Sequence, residues 1–283
     1  MSQTTNDKVW LITGCSTGFG RVLTEAAIEH GDRVVATARS VERLKDLAQR
    51  YGQRMLILPL DVTDQAQIGA VVEEAIRSFG RIDVLVNNAG YGVFGAVEEL
   101  SLDEIRQQFD TNVFGLIAVT QAVLPHLRRQ RSGHIVNMSS VAGVVVRAAG
   151  GVYAASKFAV EAISEALADE LKSFGVRVTV VEPGPFRTDF FGRSLAHAKR
   201  PLPEYEEPLA SVRQWLKQLD GNQVGDPAKA AHVIIEAVEA ADPPLHLPLG
   251  KTARERIEAK FENFRREIEA WREKIDATDF HTE

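Results

Sequence analysis

A tyrosine and a lysine four residues apart form the pair in this sequence with the most specific chemistry. Tyr153 and Lys157 lie in a segment of helical periodicity, so they share one helix face, one turn apart. An isolated pair of this kind is more often a core tyrosine and a solvated lysine. An ammonium beside a phenol, however, favours the phenolate and brings a pKa of about 10 closer to proton exchange at neutral pH. If other residues of an active site occur together with this pair, the pair therefore indicates acid–base chemistry.

A glycine-rich turn lies far upstream of this pair. Residues 13–20 read Thr-Gly-Cys-Ser-Thr-Gly-Phe-Gly and join an apolar run to a helical pattern. Glycines at such a turn let the backbone approach a pyrophosphate, whose charge is favoured by the helix N-terminus. Alone, the turn could equally be an ordinary strand-to-helix connection.

Six motifs occur in an order that resembles the short-chain dehydrogenase/reductase family, in its hydroxysteroid- and retinol-dehydrogenase-like branch. They are the Thr-Gly-x-x-x-Gly-x-Gly turn, Asp61-Val62, Asn87-Asn88-Ala89-Gly90, Asn112, Ser140 with Tyr153 and Lys157, and Pro183-Gly184. The resemblance covers about residues 8 to 250. It implies a carbonyl reductase or alcohol dehydrogenase that uses a nicotinamide cofactor.

The resemblance implies a catalytic set of Asn112, Ser140, Tyr153 and Lys157. Tyr153 would donate and accept the proton, and Lys157 would tune it and bind the nicotinamide ribose. Ser140 would hold the substrate oxygen, since the family's serine lies thirteen residues before its tyrosine, and Ser139 is expected to bond the backbone. Asn112 either bends its helix or holds a water for proton relay; both can be true.

The cofactor is predicted to be NADP(H). An NAD site usually ends its second strand with an acid, but here Ala38 occupies that position and Arg39 offers a cation to the 2′-phosphate. Glu182 replaces an asparagine common before Pro-Gly in the family. The predicted cofactor contacts are Gly14, Ser16, Thr17, Gly18, Phe19, Gly20, Arg39, Asp61, Val62, Asn88, Ala89, Gly90, Tyr153, Lys157, Pro183, Gly184, Phe186 and Thr188.

Short β-branched runs alternate with amphipathic stretches, which predicts an α/β fold with a doubly wound, Rossmann-type parallel sheet. The predicted strands are Val9–Ile12, Val34–Thr37, Met55–Leu60, Val84–Asn87, His134–Met138, Val176–Val181 and His246–Leu249. The predicted helices include Phe19–His30, Gln65–Phe79, Leu102–Arg129, Val152–Phe174 and Pro227–Ala240.

Two further segments complete a single predicted domain of residues 1–283. Residues 189–226 carry several prolines and no strand pattern, and are expected to form a helical substrate lid. Residues 251–278 are expected to form a long C-terminal helix. Its apolar residues recur at steps of four and three and make one seam that needs a covering surface: Ala253, Ile257, Phe261, Phe264, Ile268, Trp271 and Ile275.

Composition narrows the classes of partner. The net charge of −6 is spread over mixed helices without a long basic run, which argues against nucleic acid. The lone Cys15 leaves any disulfide or zinc motif incomplete and fits a cytoplasmic setting, and no apolar stretch indicates a signal peptide or membrane span. No metal site is predicted, because the seven histidines lack metal-ligand spacing.

The substrate is predicted to be a small carbonyl or alcohol compound of lipophilic character. Apolar residues that could surround the reacting end, or pack the lid shut, are Tyr91, Val93, Phe94, Val144 to Val146, Phe190, Phe191, Leu195 and Trp215. The long central helices predict a homodimer or homotetramer. A non-catalytic NADP-binding redox sensor is the alternative, although sensors usually lose the tyrosine or lysine. Epimerase or dehydratase chemistry would need a larger C-terminal domain and another glycine spacing.

Overall fold

A computed structural model describes residues 7–280, and seven parallel strands form its centre. The strands of these residues are β1 (Val9–Ile12), β2 (Arg33–Ala38), β3 (Met55–Pro59), β4 (Val84–Asn87), β5 (Gly92–Phe94), β6 (Gly133–Met138), β7 (Val176–Pro183), β8 (Leu195–His197) and β9 (His246–Leu249). The main sheet has the order β3-β2-β1-β4-β6-β7-β9. This order and pairing confirm the predicted Rossmann-type sheet.

Helices cover both faces of the sheet. They are α1 (Gly18–His30), α2 (Lys45–Tyr51), α3 (Gln65–Phe79), α4 (Leu102–Phe109), α5 (Leu116–Gln130), α6 (Gly151–Leu171), α7 (Glu206–Leu219), α8 (Pro227–Glu239) and α9 (Lys251–Asp276). One apolar layer joins the sheet to α1, α2 and α8, and a second joins it to α3, α5 and α6. Because both faces are buried, the strands are apolar throughout rather than alternating.

Local sequence sets the ends of several helices. Asp64 caps α3 by accepting from the backbone N–H of Ala66 at 2.9 Å, and Asp226 caps α8 just before Pro227. Gly31 ends α1 and Gly80 ends α3 in left-handed conformations, with φ of +114° and +78°. These signals explain why the predicted bounds of both helices are nearly right.

The site lies at the carboxyl edge of the sheet. β1 pairs with β2 on one side and with β4 on the other, so the connections leave β1 in opposite directions. At such a switch point the loops diverge and leave a crevice. The turns after β1, β2 and β4 and the loops after β6 and β7 all open onto this edge.

The prediction that residues 189–226 contain no strand is wrong. β8 lies in this segment and pairs in parallel with β5, so that Gly92 is opposite Leu195 and Phe94 opposite His197. A π-helical turn at Phe190–Ser194 precedes β8, and α7 follows it. The predicted lid is therefore mostly helical, but a two-stranded ribbon fastens it to the loop after β4.

The predicted helix Leu102–Arg129 is interrupted. A π-helical segment at Asp110–Gly115 separates α4 from α5. The predicted helix Val152–Phe174 is α6 followed by a 3₁₀ turn at Lys172–Phe174. Within residues 7–280, no helix combines the length and apolar character that a bilayer crossing needs.

The C-terminal helix α9 packs on the domain through its first turns and extends away from it beyond Lys260. Ala253 is its one buried residue, whereas the seam residues Phe261, Phe264, Ile268 and Trp271 are 44% to 59% exposed. The part of the seam from Phe261 onward is thus not covered by the protein's own domain. Residues 1–6 and 281–283, which the predicted domain includes, lie outside the described residues.

Candidate active site

The turn between β1 and α1 is built on glycines that nothing larger could replace. Gly14 and Gly18 have φ of +72° and +58°, in the left-handed region. A Cβ at Gly14 would lie 2.9 Å from the Cα of Ala89, and one at Gly20 would lie 2.4 Å from Nδ2 of Asn88. The turn therefore packs directly against the segment after β4.

The N-terminus of α1 is left free for an anion. The side chain of its N-cap residue, Thr17, accepts no hydrogen bond from the helix, and the first turn contains no acid. A Cβ at Gly18 would meet only Thr188 across the cleft, at 3.6 Å. Exposed N–H groups at a helix start, with a close and unobstructed backbone, suit a pyrophosphate. The turn can hold a dinucleotide.

A cleft of about 1030 Å³, which we call the dinucleotide cleft, runs from the end of β2 past the glycine turn. It opens beside an apolar cleft of about 390 Å³, and the two share Phe19, Asn88, Gly90 and Thr188 in their walls. Most predicted site residues line one or both clefts: Gly14, Ser16, Thr17, Gly18, Phe19, Arg39, Asp61, Val62, Asn88, Ala89, Gly90, Ser140, Tyr153, Lys157, Pro183, Gly184, Phe186 and Thr188. Gly20 and Asn112 lie behind the walls.

The far end of the dinucleotide cleft lies at the end of β2. Ala38 is buried there, and Arg39 is exposed and forms no ion pair among the described residues. The carboxylate of Asp61 accepts from the backbone N–H and the hydroxyl of Thr63, at 3.0 and 2.8 Å. These bonds, the backbone one above all, lower the pKa of Asp61, and the charge of Arg39 acts in the same direction. The Arg39 guanidinium is thus free for an added anion.

Tyr153 and Lys157 lie one turn apart on α6 and are both buried. Nζ of Lys157 donates to the carbonyl oxygen of Met138 at 2.7 Å and lies 6.0 Å from the centre of the Tyr153 ring. The carbonyl group of Met138, at the end of β6, therefore holds the ammonium group of Lys157 in the cleft wall beside Tyr153. Ser140, at the end of the same strand, shares the cleft wall with both.

Burial shifts the pKa values of this pair in opposite directions. It raises the pKa of Tyr153 to about 12, against a hydrogen bond with Ser140 that lowers it. It lowers the pKa of Lys157 to about 8, against the negative charge of Glu161, which raises it. Burial disfavours the charged form of each group. Without a cofactor, Tyr153 is therefore a protonated phenol.

The two serines after β6 have different hydrogen-bond partners, and the substrate-holding role of Ser140 stays a prediction. The hydroxyl of Ser139 donates to the backbone carbonyl of Lys157 at 3.4 Å. Oγ of Ser140 accepts from the backbone N–H of Ala142 at 3.1 Å and caps a short 3₁₀ turn. Because Ser140 uses only acceptor capacity there, its hydroxyl proton can still point into the cleft.

Asn112 lies inside the π-helical segment and bonds the chain after β4. Its Oδ1 accepts from the N–H of Tyr91 at 3.0 Å, and its Nδ2 donates to the carbonyl of Tyr91 at 2.8 Å and to Ser156 at 3.1 Å. A Cβ at Gly90 would lie 3.1 Å from Asn112 Oδ1 and 3.6 Å from Lys157 Nζ. Asn112 therefore sits where its helix is distorted and lies near Lys157 on the other side of Gly90, and its role in proton relay stays a prediction.

The loop after β7 closes the cleft opposite the glycine turn. The N–H of Gly184 donates to Leu249 at 3.0 Å, and the ring of Phe186 packs on Phe19 with centroids 5.2 Å apart. Thr188 faces Gly18. These contacts fix the loop beside the glycine turn and the start of α1.

The apolar cleft extends from Tyr153 beneath the lid. Its predicted lining residues Tyr91, Phe94, Val145, Phe190, Phe191 and Trp215 are present in its wall. Val93, Val144, Val146 and Leu195 are not; Val93 is buried with Leu100 and Val152, and Val146 points outward. Val93 and Leu195 lie in β5 and β8, where side chains alternate between faces, whereas Val144 and Val146 flank Val145 in an irregular loop.

Sequence reasoning missed a buried cluster behind Lys157. Oε1 of Glu182 lies 3.0 Å from Nδ1 of His246, and Oε2 of Glu161 lies 3.6 Å from the same atom. Burial raises the pKa of each carboxyl to about 7. The replacement of asparagine by Glu182 was the visible signal, and its partner is His246 on β9.

The prediction of no metal site stays a prediction. Within residues 7–280, two groups hold ligand atoms close together: Glu161, Glu182 and His246, and His30, Asp32 and Glu239. Neither group faces the clefts described above.

Comparisons with known proteins agree on one family. The family model described as short chain dehydrogenase matches residues 8–199. An oxidoreductase of Botryotinia fuckeliana is 39% identical over 267 residues, which cover 94% of this chain and 97% of that protein. Retinol dehydrogenase 8 of Bos taurus is 37% identical over 249 residues, covering 83% and 79%.

Solved structures extend the agreement to the fold. A short-chain dehydrogenase from Streptomyces avermitilis is 43% identical, with a TM-score of 0.91, covering 97% of this chain and all of that one. A Burkholderia phymatum member in complex with NAD is 26% identical (TM-score 0.81, covering 94% and 97%). An alcohol dehydrogenase from Thermococcus sibiricus complexed with 5-hydroxy-NADP is 26% identical (TM-score 0.71, covering 86% and 96%). Relatives of this chain thus bind either dinucleotide.

Proposed function

The chain belongs to the short-chain dehydrogenase/reductase family of NAD(P)-dependent oxidoreductases, and we propose that it transfers a hydride between NADP(H) and a lipophilic ketone, aldehyde or alcohol. The observation that carries this proposal is the position of Tyr153. It lies in the wall of an apolar cleft, beside the point where that cleft meets the dinucleotide cleft. A proton donor at the junction of a substrate site and a cofactor site supports carbonyl reduction.

Each catalytic residue has a role that its surroundings support. Bound NADP(H) supplies or accepts the hydride. Tyr153, protonated with a pKa of about 12, donates its proton to the oxygen of the reduced carbonyl. Ser140 donates a hydrogen bond to the same oxygen and stabilises its developing charge. Lys157 faces the tyrosine with an ammonium held by Met138, so it favours the phenolate that remains.

Return of the proton uses groups on the inner side of the site. Lys157 and Asn112 face one another across Gly90, and Asn112 Oδ1 accepts one hydrogen bond from the chain, so it retains capacity for a water. We assign Asn112 to positioning this water, which links Lys157 to solvent. The π-helical segment Asp110–Gly115 places the side-chain amide of Asn112 for this role.

The preference for NADP rests on the end of β2. Ala38 leaves room where a carboxylate would repel a 2′-phosphate, and Arg39 offers an unpaired guanidinium at the cleft. Relatives bind either dinucleotide, so the choice depends on these residues of the chain itself. Arg39 is the residue on which the assignment of NADP depends.

Three broader assignments belong to the same proposal. Residues 189–226 act as the substrate lid of one catalytic domain, since α7 and the π-helical turn supply Phe190, Phe191 and Trp215 to the apolar cleft. The protein assembles as a homodimer or homotetramer, because the seam on α9 is left uncovered. It works in a cytoplasmic, reducing setting, where its buried Cys15 stays a thiol.

The test is a turnover screen with a matched tyrosine variant. NADPH oxidation and NADP reduction are followed with a panel of ketones, aldehydes, steroids and secondary alcohols. Tyr153→Phe should bind cofactor normally and lose about a hundredfold or more in turnover, the scale of acid–base catalysis. Tyr51→Phe, a substitution on α2 away from both clefts, is the control. Near-normal turnover by Tyr153→Phe would remove the tyrosine from the mechanism, and cofactor binding without turnover of any compound would favour a redox sensor.

A further inference from the structure

The apolar cleft ends at two arginines without an acidic partner. Arg147 stacks on Trp215, with its guanidinium carbon 4.7 Å from the ring centre. Arg256, half-buried in the second turn of α9, donates to the carbonyl of Val145 at 3.2 Å. Both line the cleft, and neither forms an ion pair with any residue of the range 7–280. Their charges are therefore uncompensated by the protein.

A third cation lies next to this pair. Nζ of Lys260, one turn after Arg256, donates to the carbonyl of Val144 at 2.6 Å and also forms no ion pair among the described residues. Burial lowers the pKa of Arg256, and the like charge of Arg147 adds to this effect. Arg147 and Arg256 at the wall of the apolar cleft repel one another, and a bound anion would relieve the repulsion.

A continuous aromatic path joins these cations to the reacting group. Tyr153 contacts Phe190 with ring centres 5.5 Å apart, Phe190 contacts Phe191 at 5.4 Å, and Phe191 contacts Trp215 at 6.5 Å. The path ends where Arg147 covers the Trp215 ring. A ligand that follows the lid from Tyr153 thus passes over aromatic surface and reaches positive charge.

We propose that the substrate is an amphipathic anion, with its carbonyl or alcohol at Tyr153, an apolar chain along the aromatic path, and a carboxylate between Arg147 and Arg256. This inference rests on the proposed function and names its substrate class. The guanidinium group suits the anionic end because its planar fork binds a carboxylate with two hydrogen bonds. The positive charges of the two guanidinium groups would repel a ligand whose tail is a cation.

Equilibrium binding tests the anion subsite without requiring turnover. ω-Hydroxydecanoate and its methyl ester are titrated by calorimetry into protein saturated with NADPH, a combination in which the alcohol cannot be oxidised. The wild type should bind the anion at least about tenfold more tightly, the effect of one hydrogen bond to a charged group. Arg256→Gln should abolish most of this difference while leaving the affinity for the ester within about twofold.

The control variant is Arg254→Gln, which removes the same charge from the same helix turn. Arg254 pairs with Glu258 at the surface and lies outside the cleft wall, so its loss should leave the anion preference intact. Equal affinity of the wild type for acid and ester, or no binding of the acid, would overturn the inference. So would a preference that survives in the Arg147→Gln, Arg256→Gln double variant.

Turnover separates this inference from the proposed function. Sebacic semialdehyde, its methyl ester and decanal are compared as substrates with NADPH. The semialdehyde should have the lowest KM in the wild type, and Arg256→Gln should raise that KM by about tenfold or more with kcat nearly unchanged. Turnover of all three with equal KM would reject the anion subsite alone. Failure of all three, with the anion preference retained in calorimetry, would reject the proposed function alone.

Discussion

Replacing Arg39 by alanine is the most direct test of cofactor choice, because it names one side chain and one chemical group. The guanidinium of Arg39 lies at the mouth of the dinucleotide cleft and has no partner in the described part of the chain. NADPH carries a 2′-phosphate that can accept from it, whereas NADH does not. The variant should therefore weaken NADPH and leave NADH almost unchanged.

The magnitude follows from exposure and from the neighbouring carboxylate. A hydrogen bond to a charged group contributes about 1.5–3 kcal/mol, which corresponds to about ten- to a hundredfold in affinity. Arg39 is exposed, so water and salt screen it and the lower end of this range applies. Its charge also lowers the pKa of Asp61, so Arg39→Ala leaves that carboxylate unopposed near the phosphate. We expect about a tenfold loss of NADPH affinity at low ionic strength.

Fluorescence titration of NADPH and NADH into each variant measures the effect. Arg54→Ala is the control, since Arg54 is an exposed arginine that lines neither cleft. Adding Ala38→Asp to Arg39→Ala should invert the preference, because the new carboxylate repels the phosphate and accepts from the free ribose hydroxyls. If both cofactors weakened by the same factor in Arg39→Ala, the loss would be structural, and the assignment of NADP would have to be withdrawn.

Three other predictions concern pH and assembly. NADPH-driven reduction should decline as pH rises through about 8, because burial lowers the pKa of Lys157 to that value, while Tyr153 stays protonated. A reduction rate that does not fall until about pH 10, the ordinary pKa of lysine, would contradict this. Burial raises the folded-state pKa of Glu161 and Glu182 to about 7, so their stabilising contribution is present below about 4.5 and is lost as pH rises through 7. The test is the loss of Tm between acidic and alkaline pH, measured by thermal melts of each protein. This loss should be smaller in Glu182→Gln than in the wild type or in the exposed control Glu170→Gln. Equal losses in all three proteins would contradict the raised pKa of the buried carboxyls. Light scattering should give at least a dimer mass, and a monomer mass that does not change with concentration would refute assembly.

The sheet was predictable from sequence because both of its faces are buried. A strand covered on both sides is apolar along its length, so Val9–Ile12 and Val84–Asn87 could be located to the residue. The short strand Leu195–His197 was not predictable. It pairs with Gly92–Phe94, about a hundred residues away in sequence, over three residues only. Such a run leaves no periodic pattern of its own.

The candidate site was predictable to the extent that its residues form motifs in sequence order. The glycine turn, Ser140, Tyr153 and Lys157 all belong to such motifs, and the structure brings them to one edge of the sheet. The cation pair was not visible in this way. Arg147 and Arg256 are separated by more than a hundred residues, and each alone looks like an ordinary surface arginine. Only the packing of α9 against the loop after β6 places them together.

The cluster behind Lys157 shows how one change in a motif depends on distant residues. Glu182 lies on β7 beside the β9 strand, and without His246 at 3.0 Å its buried Oε1 would lose its hydrogen-bond partner. Glu161 lies one turn beyond Lys157 on α6 and raises the pKa of that lysine against the effect of burial. Neutralising Glu182 therefore leaves the direct electrostatic support of Lys157 in place, whereas neutralising Glu161 removes it. The two carboxyls are neighbours, but only Glu161 acts on the ammonium of Lys157.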